Sequence, residues 1–307
     1  MKEKPTRGKI IKNKTISENQ GDSQNELSEC TLIIISNNND EVRRLLFGFS
    51  NTNFPIVLVL EEPLKIETMR GNILIINSKS KNLAYKRNLG VFYAKTEWVA
   101  FLDSDEEYDD NFLKLLERGI PNAFSAYMVN TIAKFSGRYL HQWDFYNFRI
   151  FKREICRYVF SAHERVKLPR DSKIGISEAR LINNSYKDWT HYWRKFKVKT
   201  SKEKKTLKVF FTRLLSPIFL YLFNGGAKDG ILGAKILFAS LAYPFFIIIQ
   251  GKKVNPIHDF KLSITLEDLP SKVYPEEVPF IKHLFDEMEN CSIKDKYEYI
   301  EQINSSI

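Results

Sequence analysis

Two aspartates, Asp103 and Asp105, stand two positions apart directly after the apolar run Trp98-Val99-Ala100-Phe101-Leu102. Carboxylates spaced this way at the end of a buried strand can hold a hard divalent cation, Mg²⁺ or Mn²⁺, that also binds a diphosphate. Asp-x-Asp occurs in plain solvated turns too, and Glu106, Glu107, Asp109 and Asp110 follow closely. The position at a strand end is what gives the pair weight. Other chemistries lack their residues. Cys30, Cys156 and Cys291 are far apart and form no CxxC pair, so neither a disulfide framework nor a structural zinc site is encoded, and a reducing compartment fits best. His141, His191, His258 and His283 show no metal-ligand spacing. Neither GxxxxGK[ST] nor GxGxxG is present, which excludes a P-loop and a dinucleotide fingerprint.

Such a pair can act only if a sheet holds it in place. The run over 31–35 is β-branched, apolar on both faces, and stopped by Ser36-Asn37-Asn38-Asn39-Asp40. Similar runs cover 55–60, 72–76 and 98–102, and helical spacing lies between them over 41–50 and 83–94. This alternation predicts an α/β fold, a mostly parallel sheet with helices on both faces, with ligands at the carboxyl ends of the strands. A helix over 111–118 and short strands over 126–132 and 148–152 follow. The polar lead over 1–29 reads as disordered and carries no signal-peptide core.

Asn82-Leu83-Ala84-Tyr85-Lys86-Arg87-Asn88-Leu89-Gly90, then Ala94, then the strand leading to Asp103-Ser104-Asp105, resembles the core signature of family 2 glycosyltransferases of GT-A fold. Phe148-Arg149-Ile150-Phe151-Lys152-Arg153, then His163-Glu164-Arg165-Val166, and later Gly226-Ala227-Lys228-Asp229-Gly230-Ile231-Leu232-Gly233, are similar to elements of the lipopolysaccharide core-type branch. The resemblance implies a catalytic domain over 30–185 that transfers a hexosyl or heptosyl unit from a nucleotide-sugar donor with inversion. It also implies roles. Asp105 is the metal ligand, and Asp103 contacts the donor ribose or supports the metal. Arg87 reaches a phosphate, or else lies on a solvated helix face, and Asn88 pins a loop beside the donor. Glu61 stands where the family has its nucleobase or ribose aspartate. Glu164 is the general base that takes the acceptor hydroxyl's proton; a surface ion pair with Arg165 or Lys167 is the alternative. His163 and Arg165 belong to the acceptor side. Asn183-Asn184 stands near where relatives often place a His.

The chain has 307 residues, 43% of them hydrophobic, which is ample for a core. Its net charge of +10 is concentrated. Residues 187–213 hold ten Lys or Arg against Asp188 and Glu203, whereas 251–307 hold seven basic and eleven acidic residues. The basic stretch contains Trp189, Tyr192, Trp193 and Phe196 and precedes apolar runs over 214–223 and 231–249. That combination suits an anionic membrane surface. A solvated basic helix beside a buried hairpin is the alternative. Lys235, Pro244 and basic clusters on both flanks favour an in-plane anchor over a span, so 186–250 is expected to associate with the membrane and 251–307 to form a polar tail with one helix. A lipid-linked or membrane glycan acceptor at the inner face of the cell membrane, in cell-surface polysaccharide or glycolipid synthesis, follows from this reading. A catalytically silent GT-A scaffold is the competing class. Nucleic acid is not expected as a partner, because the charge sits beside apolar runs and not in a polar groove. Oligomeric state is open.

Overall fold

Strands without a polar face must be covered on both sides, and three of them lie side by side in this protein. The computed structural model describes residues 27–64, 71–159, 165–202, 205–250, 269–270 and 272–287. In chain order the elements are β1 (Leu27–Ser28), β2 (Cys30–Ser36), α1 (Asn39–Gly48), β3 (Ile56–Leu60), β4 (Ile73–Asn77), α2 (Leu83–Tyr93), β5 (Trp98–Asp103) and β6 (Glu106–Tyr108). Then come α3 (Asp110–Arg118), β7 (Ile120–Pro121), β8 (Ala126–Phe135), β9 (Arg138–Lys152), β10 (Arg157–Val159), β11 (Arg165–Lys167) and β12 (Ile174–Tyr186). Helices α4 (Trp189–Lys202), α5 (Leu207–Phe223), α6 (Gly230–Leu241), α7 (Tyr243–Gln250) and α8 (Val278–Glu287) complete the described chain.

Eight strands form one sheet in the order β4-β3-β2-β5-β9-β8-β12-β6. The first four run parallel. β9 is antiparallel to both β5 and β8, β12 is parallel to β8, and β6 closes the edge antiparallel to β12. The fold is mixed α/β with a mostly parallel sheet. Alternate residues of each strand face opposite sides, so Ile33, Val57, Val99 and Phe101 pack under α2 and α8. Leu32, Ile34, Leu58 and Ala100 pack under α1 and α3. A third cluster of Phe135, Leu140, Tyr192, Phe196 and Ile236 joins the far end of the β8–β9 hairpin to α4 and α6.

Several expectations are corrected. Leu27 and Ser28 already pair with Pro121 and Ile120, so order begins inside the expected lead; residues 1–26 lie outside the described ones. β8 and β9 are much longer than the short strands expected. Ser136 and Gly137, both at positive φ (47° and 78°), make the tight turn between them, as a two-residue hairpin connection of matching twist demands. The middle of β9 mixes aromatic and polar residues, with Asp144, Phe145 and Tyr146 all exposed, and no sustained alternation marks it as a strand. The apolar run over 231–249 is split into α6 and α7, with Pro244 in the first turn of α7, where its missing N–H costs nothing. Tyr192 and Phe196, part of the stretch read as suiting an anionic membrane surface, are buried at 4% exposure each in the third cluster. The C-terminal helix is part of the core: Phe280 of α8 meets Tyr85 of α2 edge-on at 5.3 Å.

Helix α2 lies so close to β2 that a Cβ on Gly90 would stand 2.5 Å from Cγ2 of the fully buried Ile33. Ala at this position gains about 1 kcal/mol of helix propensity, but forcing a methyl into a filled core costs about 1–3 kcal/mol. Gly90→Ala is therefore expected to lower the urea midpoint. A midpoint at or above that of the wild type would show that the helix–sheet approach yields.

Candidate active site

The carboxyl ends of β3, β2 and β5 are adjacent, with Ser36 opposite Leu60 and Ile35 opposite Asp103. The residues following each strand therefore converge on one rim. The hydroxyl of Ser104 donates to Glu41 at 2.8 Å and accepts from Ser36 at 2.8 Å, tying the Asp103-Ser104-Asp105 turn to the loop after β2.

Asp103 is held by two guanidinium groups. Its Oδ1 accepts from Arg87 at 2.9 Å and its Oδ2 from Arg149 at 3.2 Å. Arg149 also donates to Glu106, a carboxylate with no exposure at all, whose other oxygen accepts from the Asp103 backbone N–H at 3.1 Å. Burial would raise the Asp103 carboxyl, but the charges of Arg87 and Arg149 outweigh it and hold the group well below the usual carboxylate range. Burial pushes Glu106 upward. Arg149 opposes that push, and the neighbouring charges of Asp103 and Asp105 reinforce it.

Asp105 is placed differently, with a third of its side chain exposed and one ion pair, to Lys195 of α4, at a loose 3.4 Å. Lys195 also lies 5.7 Å from the centre of the Tyr186 ring. No group of three or more His, Cys, Asp or Glu side chains suited to a metal occurs among the described residues. One carboxylate still fits a divalent ion that keeps waters and takes its remaining ligands from a substrate diphosphate. On that test Asp105 suits a metal, whereas Asp103 has both oxygens committed to arginines.

Arg87 points inward, 8% exposed, with its guanidinium 5.1 Å from the Tyr158 ring centre. Asn88 uses both ends of its amide on the Tyr158 backbone, donating to its C=O at 2.9 Å and accepting from its N–H at 2.8 Å. It thus fixes β10, which pairs with β11. His163 and Glu164 lie outside the described residues, as does the side chain of Arg165, whose backbone opens β11 opposite Val159. Glu61 follows β3 and forms ion pairs with Lys81 and, at 3.6 Å, with the buried Lys86. The hydrogen bond from Lys81 is the largest of the influences that lower its carboxyl.

Sequence reasoning missed three residues here. Glu106 reads as one more acid of a solvated turn, yet β6 pairs with β12 and buries it. Arg149 lies in a strand quoted only for its pattern, and the partner that reveals it is 46 residues away. Lys195 sits in a basic run that gives no hint which lysine turns back to the sheet. Asn183 and Asn184 brace the same turn: Asn184 donates to Glu107 at 2.8 Å, and its backbone N–H to the Asp105 carbonyl at 3.2 Å.

Residues 24–165 match the family model for glycosyl transferase family 2. The match spans the strand that ends in Asp103. No curated protein matches the chain. Among solved structures it is similar to the mannosyltransferase PcManGT from Pyrobaculum calidifontis in complex with GDP-Man and Mn²⁺, at 14% identity and a TM-score of 0.38 over 73% of this chain and 84% of that one. It is also similar to S. aureus TarS 1-349 in complex with UDP-GlcNAc, at 12% identity and a TM-score of 0.35 over 72% and 81%. The bifunctional IspDF from Campylobacter jejuni aligns at 13% identity and a TM-score of 0.33 over 49% and 50%. Likeness this low carries no conclusion about donor, metal or acceptor.

Removing Arg149 would leave the fully buried Glu106 carboxylate without its ion pair and Asp103 with Arg87 alone. Arg149→Met is expected to cost about 3–5 kcal/mol in urea unfolding, as for other broken buried ion pairs. Adding Glu106→Gln should return part of that loss. Equal stability of Arg149→Met and wild type would contradict the arrangement.

Proposed function

We propose that the protein is an inverting, metal-dependent glycosyltransferase that moves a hexosyl- or heptosyl-type sugar from a nucleotide-sugar donor to a lipid-linked glycan at a membrane surface. One observation carries the reading: the family match covers the strand whose end commits Asp103 to two arginines and leaves Asp105 accessible. Asp105 would hold Mg²⁺ or Mn²⁺, which when bound neutralises the departing diphosphate. Asp103, fixed in orientation, presents its carboxylate toward the donor from a rigid strand end. Lys195 adds a positive charge where the diphosphate charge develops. The acceptor hydroxyl must lose a proton during attack, and Glu164, by the His-Glu resemblance, is the group assigned to take it, with His163 and Arg165 beside it. The catalytic unit over 30–185 is extended by α8, which packs on α2.

The membrane part of the proposal is supported by the outer helices. Leu207, Phe211, Leu215, Phe219 and Leu222 recur along one face of α5 and are all more than half exposed. Phe238, Phe245 and Ile249 of α6 and α7 are exposed as well, and Lys205, Lys208 and Lys228 flank these helices. By length and composition, the helical stretch Gly226–Gln250 could cross a membrane. An in-plane anchor on the anionic inner face of the cell membrane is the form proposed here, because Lys235 and Pro244 interrupt that stretch.

Calorimetric titration of UDP, GDP, ADP and CMP, with Mn²⁺ present or chelated, tests the donor site. One nucleotide is expected to bind with metal, and Asp105→Ala should weaken it by roughly tenfold or more, about 1.4 kcal/mol. Absence of binding by every nucleotide would favour the silent scaffold. For the membrane, sedimentation with phosphatidylcholine vesicles, with and without phosphatidylglycerol, is the check. Salt-sensitive binding to the anionic vesicles, abolished by Leu215→Glu with Phe219→Glu, is the expected result; equal recovery with both vesicle types would oppose it.

A further inference from the structure

Between the antiparallel half of the sheet and helices α4 to α7 lies a cavity of ≈ 440 Å³. This is within the range of small-molecule sites, about 300–1,000 Å³. Three polar atoms of residues lining it are buried and have no hydrogen-bond partner among the described residues: Thr131 Oγ1, Gln142 Nε2 and Arg149 Nε. Their residues are 3%, 2% and 8% exposed. Buried polar atoms are normally satisfied, and each exception calls for an absent partner. Three exceptions on one cavity call for the same one.

The wall chemistry describes that partner. Gln142 Nε2 and Arg149 Nε can only donate, and the Thr131 hydroxyl can do either, so the occupant is rich in oxygen acceptors. Trp143 and Tyr186, with ring centres 5.0 Å apart, and Phe145 add flat apolar faces of the kind that pack on the C–H face of a pyranose. Lys199, which reaches the Tyr186 hydroxyl at 3.4 Å, and Arg213, 5.7 Å from the centre of the Tyr243 ring, also line the space and give it a positive potential that suits an anion. Hydroxyls, an apolar ring face and a negative charge together specify an anionic saccharide. Its place in the reaction follows from Arg149. Two nitrogens of that guanidinium hold Asp103 and Glu106 and the same residue lines the cavity, so the occupant lies beside the strand end that carries Asp105.

We propose that this cavity binds the acceptor, and that the acceptor is a phosphorylated saccharide. The inference rests on the glycosyltransferase reading and gives its second substrate a site and a chemical class. Thr131 and Gln142 bind sugar oxygens, Arg149 joins the acceptor to the carboxylate cluster, and Lys199 and Arg213 take the phosphate. From there α5 leads outward, with its apolar face exposed for the lipid end of such a molecule.

The test uses the full chain with its nucleotide and Mn²⁺, applied to an array of neutral, carboxylated and phosphorylated saccharides. Phosphorylated saccharides should be retained above the neutral ones. Thr131→Val should weaken that retention at least about fivefold while leaving the melting temperature unchanged or higher, because the hydroxyl has no partner to lose among the described residues. Arg213→Gln should erase the preference for phosphorylated over neutral saccharides. A protein that binds its nucleotide but retains no saccharide would show a cavity filled by water only, which overturns the proposal. Retention of carboxylated saccharides alone would overturn the assignment of phosphate. A Thr131→Val variant that loses stability and keeps full retention would make the residue structural and overturn its role. Loss of nucleotide binding in the wild type would instead remove the glycosyltransferase reading itself.

Discussion

The Asp103 carboxylate, gripped by Arg87 from one side and Arg149 from the other, is the interaction on which this structure turns. Burying a carboxylate at a strand end is costly unless opposite charge comes with it. The two arginines arrive from distant parts of the chain, α2 and β9, so the pairing also fixes where the helix and the hairpin lie against β5. Glu106 completes the set by accepting from the Asp103 backbone and from Arg149. With the carboxylate oxygens of Asp103 and Glu106 engaged in this way the turn is braced, while Asp105, a third exposed, meets Lys195 at a loose 3.4 Å. A stiff frame beside one accessible carboxylate is the arrangement that the proposed donor diphosphate and its cation would require.

The helical region is fastened to this frame by polar contacts as well as by its aromatic cluster. Asp229, 1% exposed, accepts from the backbone N–H groups of His141 and Gln142 at 2.9 and 3.2 Å, and from the His141 ring at 2.8 Å. Asn224 donates to the carbonyls of Gln142 and Asp144 at 3.1 and 3.3 Å. The loop between α5 and α6 thus grips the backbone of β9 a few residues before Arg149. Gly233 makes this possible, because a Cβ there would collide with the Gly226 carbonyl. The exposed apolar face of α5 is therefore anchored to the strand that also carries Arg149 of the carboxylate cluster.

Much of the framework was legible in the sequence because the signals are local. A β-branched run such as Leu32-Ile33-Ile34-Ile35 has no polar face and can only be a central strand. Asn82 caps α2 by accepting from the Tyr85 N–H at 3.1 Å, which is visible in the spacing of the two residues. The longer β8–β9 hairpin was illegible because the alternation of buried Leu140 and Gln142 breaks at Asp144, Phe145 and Tyr146, three consecutive exposed residues, and so leaves no sustained two-residue period. The site divides in the same way. Asp103 and Asp105 announce themselves by position, while Arg149, Glu106 and Lys195 depend on approaches between segments 43 to 90 residues apart. Arg87 and Asn88 were found by motif, but their inward partners, Asp103 and the Tyr158 backbone, become visible only in three dimensions. Glu61 was likewise located by its strand, and its two lysines were not.

The most direct test of this account is a crystal structure of the full chain with Mn²⁺ and the nucleoside diphosphate it binds. The account predicts the ion on Asp105 and the diphosphate, with Asp103 still bridged between Arg87 and Arg149. An ion held by Asp103 with either arginine displaced, or one bound away from the end of β5, would contradict it.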